Sequence, residues 1–441
     1  MYKYFRWLLQ PVTGIVLVLV GLFFGYAFSV WSAPNTFEVK NDNAANILLV
    51  TPSQPSLREK IQLGQELLRD SPRLLFEEKE ETTYQLNKQG KRVAVKSRVL
   101  VRKQIALAIL NQTTGQVLER RYWLSETDIK AADLIRRTYL PYFNLPSFTP
   151  EVGSEDFIVS VNWWNSFNSD LRVSKVGESR SDYIVIGLKY LMDNKLLAYP
   201  EDRSETLNYA DIVYVPYSES LHTPELVRAG QDFLDQKVNS ALAQLRQRRL
   251  YSRAFPNRLV ADTLSEQFIK NIFMTEQTDP KLVLGAADGG KKLAERVLVR
   301  LGTNSERAFR YTYSKTGALG IGQIMPATYN SVVARYPTAT LIKDTDLGRV
   351  DIGNSITASI LVFDDHIKAV ADRVTKQNST AATRFWQEIV NNAPHLEEIR
   401  AAIYNGGPGK YKVLTGTVSV AVKETVDFVA KFKRIRDLSL F

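Results

Sequence analysis

Two glycine-rich blocks, Tyr313-Ser-Lys-Thr-Gly-Ala-Leu-Gly-Ile-Gly-Gln-Ile-Met-Pro-Ala-Thr-Tyr329 and Ala402-Ile-Tyr-Asn-Gly-Gly-Pro-Gly409, interrupt a region that otherwise reads as helix. In the first, Gly317, Gly320 and Gly322 let the backbone approach another group closely, and Pro326 suits the first turn of a new helix. The second has the composition of a helix C-cap. Around them, apolar residues recur with a 3.6-residue period. That spacing predicts helices over 262–276, 290–301, 326–335, 354–373, 383–391, 396–404 and 421–436. Residues 256–441 therefore read as a mostly α-helical domain.

Upstream the pattern changes. Leu57–Leu68 reads as a short helix. Val93–Leu110 and Val117–Leu124 are rich in β-branched and apolar residues and flank Asn111-Gln-Thr-Thr-Gly115, which predicts a hairpin. Asp182–Tyr190 fits either a strand or a short buried helix. Pro224–Arg248 carries Leu226, Phe233, Val238, Leu242 and Leu245 on one face and reads as an amphipathic helix. Residues 36–255 are thus an α+β domain of unknown function. Trp163, Trp164 and Phe167 lie close together there, as core packing or as a sugar-stacking platform. The fold class is α+β and multidomain.

No charged residue occurs from Trp7 to Phe37. Val12–Val30 is near the length of about 20 residues that spans a bilayer. Lys3 and Arg6 precede it, while Glu38 and Asp42 follow. By the positive-inside rule, 1–35 is a short cytoplasmic tail plus anchor, and the bulk lies outside the cytoplasmic membrane. A cleaved signal peptide is the rival reading, with a poor cleavage site at Trp31-Ser-Ala33.

Composition narrows the chemistry. The 441 residues contain no cysteine, which rules out disulfides, thiol nucleophiles and thiolate metal sites. Three separated histidines, His222, His366 and His395, argue against a catalytic zinc centre. The net charge of +10 favours anionic partners. With the bulk outside the cytoplasm, cell wall or lipid headgroups fit better than nucleic acid.

A carboxyl that is to act as a general acid must still be protonated near neutral pH, which burial in apolar surroundings provides. Glu276 fits. Phe268, Ile269, Ile272 and Phe273 form an apolar stripe before it, Met274 adds bulk, and Pro280 bounds the helix that it ends. The negative end of the helix dipole raises a carboxyl's pKa further. Glu306 is the alternative. Gly302 is expected to end the preceding helix and Asn304 or Ser305 to cap the next. That position, with Arg307 adjacent, lowers a carboxyl's pKa.

The two glycine-rich blocks, in this order, resemble those of the lytic transglycosylases, lysozyme-like enzymes of bacterial cell-wall turnover. The resemblance covers about 260–441. It implies a lysozyme-like fold, no cofactor or metal, and cleavage of the β-1,4 bond between N-acetylmuramic acid and N-acetylglucosamine with closure of a 1,6-anhydro ring. Soluble-type members set their acid one position further from the serine matching Ser314 than Glu306 lies, in a Glu-Ser pair. Members of the membrane-bound B-like kind have a longer insertion and Gly-x-Gly-Gln in the block, as here, which favours Glu276. The match carries substrate-lining roles onto Ser314, Gly317, Gly320, Gln323 and Met325. It carries a hydrogen bond to the acid onto Tyr404, and a place in the site onto Asn405. Asp351-Ile-Gly-Asn-Ser-Ile and Glu424-Thr-Val-Asp-Phe-Val are weaker matches. The expected partners are glycan strands, the membrane, and envelope proteins through 36–255. A non-cutting glycan-binding scaffold and a hydrolytic lysozyme, with Asp279 or Asp288 positioning water, are the alternatives.

Overall fold

A computed structural model describes residues 55–125, 147–178, 182–312, 314, 316–377, 379–391, 393–412, 417–418 and 423–441. The apolar stretch Trp7–Phe37 lies outside these. No helix among the described residues is long and apolar enough to cross a membrane.

Helix α1 (Leu57–Asp70) starts at a capping box in which Ser56 and Glu59 satisfy each other's backbone N–H. Its buried stripe, Ile61, Gly64 and Leu68, faces a sheet. The strands are β1 (Phe76–Leu86), β2 (Arg92–Asn111), β3 (Val117–Ser125), β4 (Thr149–Pro150), β5 (Phe157–Trp163), β6 (Asp170–Lys175), β7 (Tyr183–Asp193) and β8 (Tyr209–Tyr214). The main sheet is antiparallel with order β4-β3-β2-β7-β8, and β1 pairs with the outer half of β2. β5 and β6 form a separate antiparallel pair.

The expected hairpin is present, with Leu110 opposite Val117. Its turn closes because Asn111 Oδ1 accepts from Thr113 N and Thr114 N, and Gly115 adopts φ +71°. Segment 182–190 resolves as strand. From Tyr183 to Met192 the strand is buried throughout, so no alternation could show. Ala106, Ala108 and Leu110 of β2 face α1, while Ile105, Leu107 and Ile109 face the opposite core.

Helix α2 (Pro224–Gln247) joins the two regions. Leu226 packs in the core under the sheet, whereas Leu234, Val238, Leu242 and Leu245 pack in the helical core. After it come α3 (Glu266–Glu276), α4 (Pro280–Gly285), α5 (Lys291–Asn304), α6 (Pro326–Arg335), α7 (Thr345–Val350), α8 (Ile352–Gln377), α9 (Ser379–Asn391), α10 (Ala393–Gly406) and α11 (Lys423–Asp437). Two-residue strands β9 (Tyr411–Lys412) and β10 (Thr417–Val418) pair between the last two helices. The architecture is α+β, and Gln54–Phe441 is one compact unit.

Two expectations near Glu306 are corrected. Gly302 does not end its helix: it lies inside α5, where a Cβ would stand 2.4 Å from Leu226 O. Asn304 stands at the N-cap of the single 3-10 turn Ser305–Arg307, but its side chain makes no capping bond there. Asn304 accepts from Val215 N at 2.8 Å and donates to Val215 O at 2.9 Å, which pins the chain leaving β8. Ser305 ends α5 at φ +47°. The aromatic trio is also settled in part: Trp164 is buried in the sheet core and Phe167 packs on Tyr214 and Tyr311. Trp163 stays exposed beside the Arg296 guanidinium.

Candidate active site

Helix α3 begins at Ser265, whose hydroxyl accepts from Phe268 N, and ends at Glu276. The run Phe268–Thr275 is buried, so the helix is driven into the core and delivers Glu276 to its edge. Glu276 is partly covered, and its carboxyl has no hydrogen-bond partner among the described residues. Burial pushes its pKa up from 4.5 to about 8, against the lowering charge of Lys431, and the Glu424 charge adds to the rise.

The first glycine-rich block forms a tight loop before α6; of its residues, Tyr313 and Lys315 lie outside the described ones. Leu319 and Ile324 make an isolated antiparallel bridge, and Ser314 Oγ accepts from Ala318 N at 2.7 Å. Arg349, almost fully buried, donates to Gly317 O at 2.6 Å and to Ile324 O at 3.0 Å from the far side. Two glycines are required by space. At Gly320 (φ +70°) a Cβ would lie 1.8 Å from Arg349 O, and at Gly322 it would lie 2.4 Å from Ser359 Oγ.

Gln277 ties this loop to the acid-bearing turn: its Nε2 donates to Gly320 O at 3.0 Å and to Ile321 O at 2.9 Å. Tyr404, on the last turns of α10, donates to Gly322 O at 2.6 Å and shares a 3.1 Å hydrogen bond with Ser359 Oγ. Its ring stacks on Phe363, 4.6 Å between centroids. Burial raises its phenol pKa, and the negative charge of Glu276 raises it further. Tyr404 therefore stands in electrostatic reach of the acid, with its hydroxyl proton committed to Gly322 rather than to Glu276.

The remaining expected residues fall around the same loop. Gln323 takes φ +46° and turns its Nε2 back to Gly320 O at 2.8 Å, which leaves Oε1 without a partner among the described residues. Met325 caps the start of α6 and is 40% exposed, a free apolar surface at the rim. Asn405 follows Tyr404 and is half-buried. Gly317 (φ +90°) has open space where a side chain would stand. Asn354, in the first turn of α8, accepts from Ile342 N and donates to Tyr329 Oη and Gly348 O, so it braces the loop's support.

Glu306 sits elsewhere in character. It lies on a single 3-10 turn after α5, its side chain is 48% exposed, and it pairs with Lys237 of α2. Asp279 caps α4, accepting from Lys281 N and Leu282 N. Asp288 accepts from Gly290 N and Lys292 N, and those bonds hold its pKa down.

Gln277, Ser359, Arg349 and Lys431 were not anticipated. Ser359 and Arg349 sit in ordinary helical sequence and give no local sign. Lys431 did give one: it shares the buried face of α11 with Thr425, Phe428, Phe432 and Ile435, where an apolar residue belongs. Comparison with known proteins finds no matching family model, no matching curated protein and no matching solved structure.

Proposed function

We propose that this chain is a peptidoglycan lytic transglycosylase with Glu276 as its single general acid and base. One observation carries the reading: a glutamic acid without a hydrogen-bond partner ends a buried apolar helix, its pKa raised by burial, beside a glycine-rich loop and the Tyr404 phenol. An acid held protonated at neutral pH can protonate the oxygen between N-acetylmuramic acid and N-acetylglucosamine. Its carboxylate then takes the proton of the muramic 6-hydroxyl as that oxygen closes the anhydro ring. No water enters. General acid–base help of this kind contributes about 10²–10⁴-fold.

Two further observations favour ring closure by one residue over hydrolysis. Asp279 and Asp288, the carboxylates weighed for positioning water, both serve as backbone caps. Glu306 is half exposed and ion-paired, without the desolvation a general acid needs. We further propose a lysozyme-like fold for residues 256–441, and an anchor at Val12–Val30 that holds the bulk outside a bacterial cytoplasmic membrane.

The test is digestion of purified peptidoglycan by the full-length chain, followed by mass analysis. Wild type and Glu306→Gln release fragments one water lighter than hydrolytic products; Glu276→Gln releases none. Full activity in Glu276→Gln with a dead Glu306→Gln would overturn the assignment. Binding without release in wild type would make the chain a glycan-binding scaffold.

A further inference from the structure

Lys431 is a buried ionisable group beside the candidate site that the proposed chemistry leaves unused. It projects from the third turn of α11, is 3% exposed, and donates from Nζ to Thr278 O at 2.6 Å. That is its one hydrogen bond among the described residues, and no carboxylate there lies within ion-pairing distance. A neutral donor could bind a carbonyl equally well, so the cost of burying an ammonium needs another reason. Thr278 lies two residues beyond Glu276 and immediately follows Gln277. The acid-bearing turn is thus held twice: by Gln277 to the carbonyls of Gly320 and Ile321, and by Lys431 to α11.

We propose that Lys431 is a positioning residue for the acid: it fixes the turn just beyond Glu276, and its charge steadies the carboxylate left when Glu276 releases its proton. This rests on Glu276 being the general acid. The groups that face the pair are Glu424 on α11, Tyr404 on α10 and Asp279 at the start of α4. Two of these are carboxyls and one is a phenol, so Lys431 is the one basic group among them. Burial lowers the lysine's own pKa, opposed by the charges of Glu276 and Asp279, so the acid and the amine compete for protons over one pH range.

The experiment compares full-length wild type, Lys431→Gln, Lys431→Met and Lys431→Arg. Gln keeps a donor without charge, Met removes both, and Arg keeps the charge. Activity on glycan strands is measured as kcat and KM across pH. Without the cation, the carboxyl holds its proton to higher pH. The alkaline limb in Lys431→Gln and Lys431→Met therefore moves up by roughly one pH unit, with kcat reduced more than KM. Arg restores the limb. An unmoved limb in both uncharged variants overturns the proposal, whatever the loss of rate. If wild type cuts no glycan, the function fails, and the charge coupling between Lys431 and Glu276 is decided separately. The Glu276 carboxyl is then titrated directly by infrared difference against Glu276→Gln, and its midpoint must rise in Lys431→Gln. If the uncharged variants do not fold, the midpoint in wild type and Lys431→Arg decides, and it must stay matched.

Discussion

Replacing Glu276 with glutamine changes stability in a direction that most active-site substitutions with lost polar groups do not. The folded chain holds the carboxyl's pKa near 8, against 4.5 for an unperturbed glutamic acid. Between those values the folded state binds a proton that the unfolded state has released. Stability from this group is therefore complete below pH 4.5 and lost as pH rises toward 8. Each pH unit in that window costs about 1.4 kcal/mol, so wild type loses about 2.5 kcal/mol through Glu276 between pH 5 and pH 7. Gln has nearly the shape of the protonated acid and cannot ionise. Other groups titrate in both proteins and cancel in the difference. Lys431 faces an uncharged neighbour in both proteins over this interval, so its titration cancels as well. Urea unfolding of wild type and Glu276→Gln at pH 5 and pH 7 measures this. The variant gains on wild type by about 2–3 kcal/mol over the interval. Equal losses in the two proteins would mean that the fold does not hold the carboxyl neutral, and the case for Glu276 as acid would go with it.

Other substitutions probe the scaffold and the loop. Tyr404→Phe keeps the stack on Phe363 but leaves Gly322 O without its donor; kcat falls roughly tenfold, the worth of one buried hydrogen bond, while KM holds. Asn304→Leu strands the N–H and C=O of Val215 and lowers unfolding free energy by about 3 kcal/mol, measured by urea titration. Gly230→Ala and Gly285→Ala make a matched pair. The first drives a Cβ to 1.9 Å from Leu298 O between α2 and α5 and costs about 2 kcal/mol or more, despite alanine's better helix propensity. The second meets nothing within 4 Å and is neutral or stabilising by about 0.5 kcal/mol.

Periodicity found the elements whose one face is buried and missed those without such a face. All seven expected C-terminal helices appear, from 266–276 to 423–437, because each carries an apolar stripe packed into a helical core. α4 and α7 escaped, being six residues each, with one and three buried positions and no room for a period. β1 escaped for a different reason. Its Glu77-Glu-Lys-Glu-Glu81 run holds no fully buried residue and no apolar one, since β1 pairs only with the outer half of β2 and touches the core through Phe76 alone. Gly302 misled because helix punctuation and close helix packing use the same residue. A glycine that stops a helix and one that lets α2 touch α5 look alike until the partner, here Leu226 O, is known.

The site divides along the same line. Glu276 was legible because the property required of an acid, an apolar helix that ends at a carboxyl, is written in consecutive residues. Ser359 and Lys431 were not, because they come to the surrounding loop and turn from two other helices, Ser359 bonding Tyr404 and Lys431 bonding Thr278 O, and only the tertiary fold sets which face each presents. Lys431 is the instructive case. On α11 it occupies a position of the buried stripe, where a lysine is costly unless its charge has work to do. The neighbouring stripe residues Phe428 and Phe432 pack as core and are explained by burial alone. The lysine is not. Charge on an apolar face is therefore the one sequence signal here that points past the acid to what surrounds it, and the structure sets it beside the turn that bears Glu276.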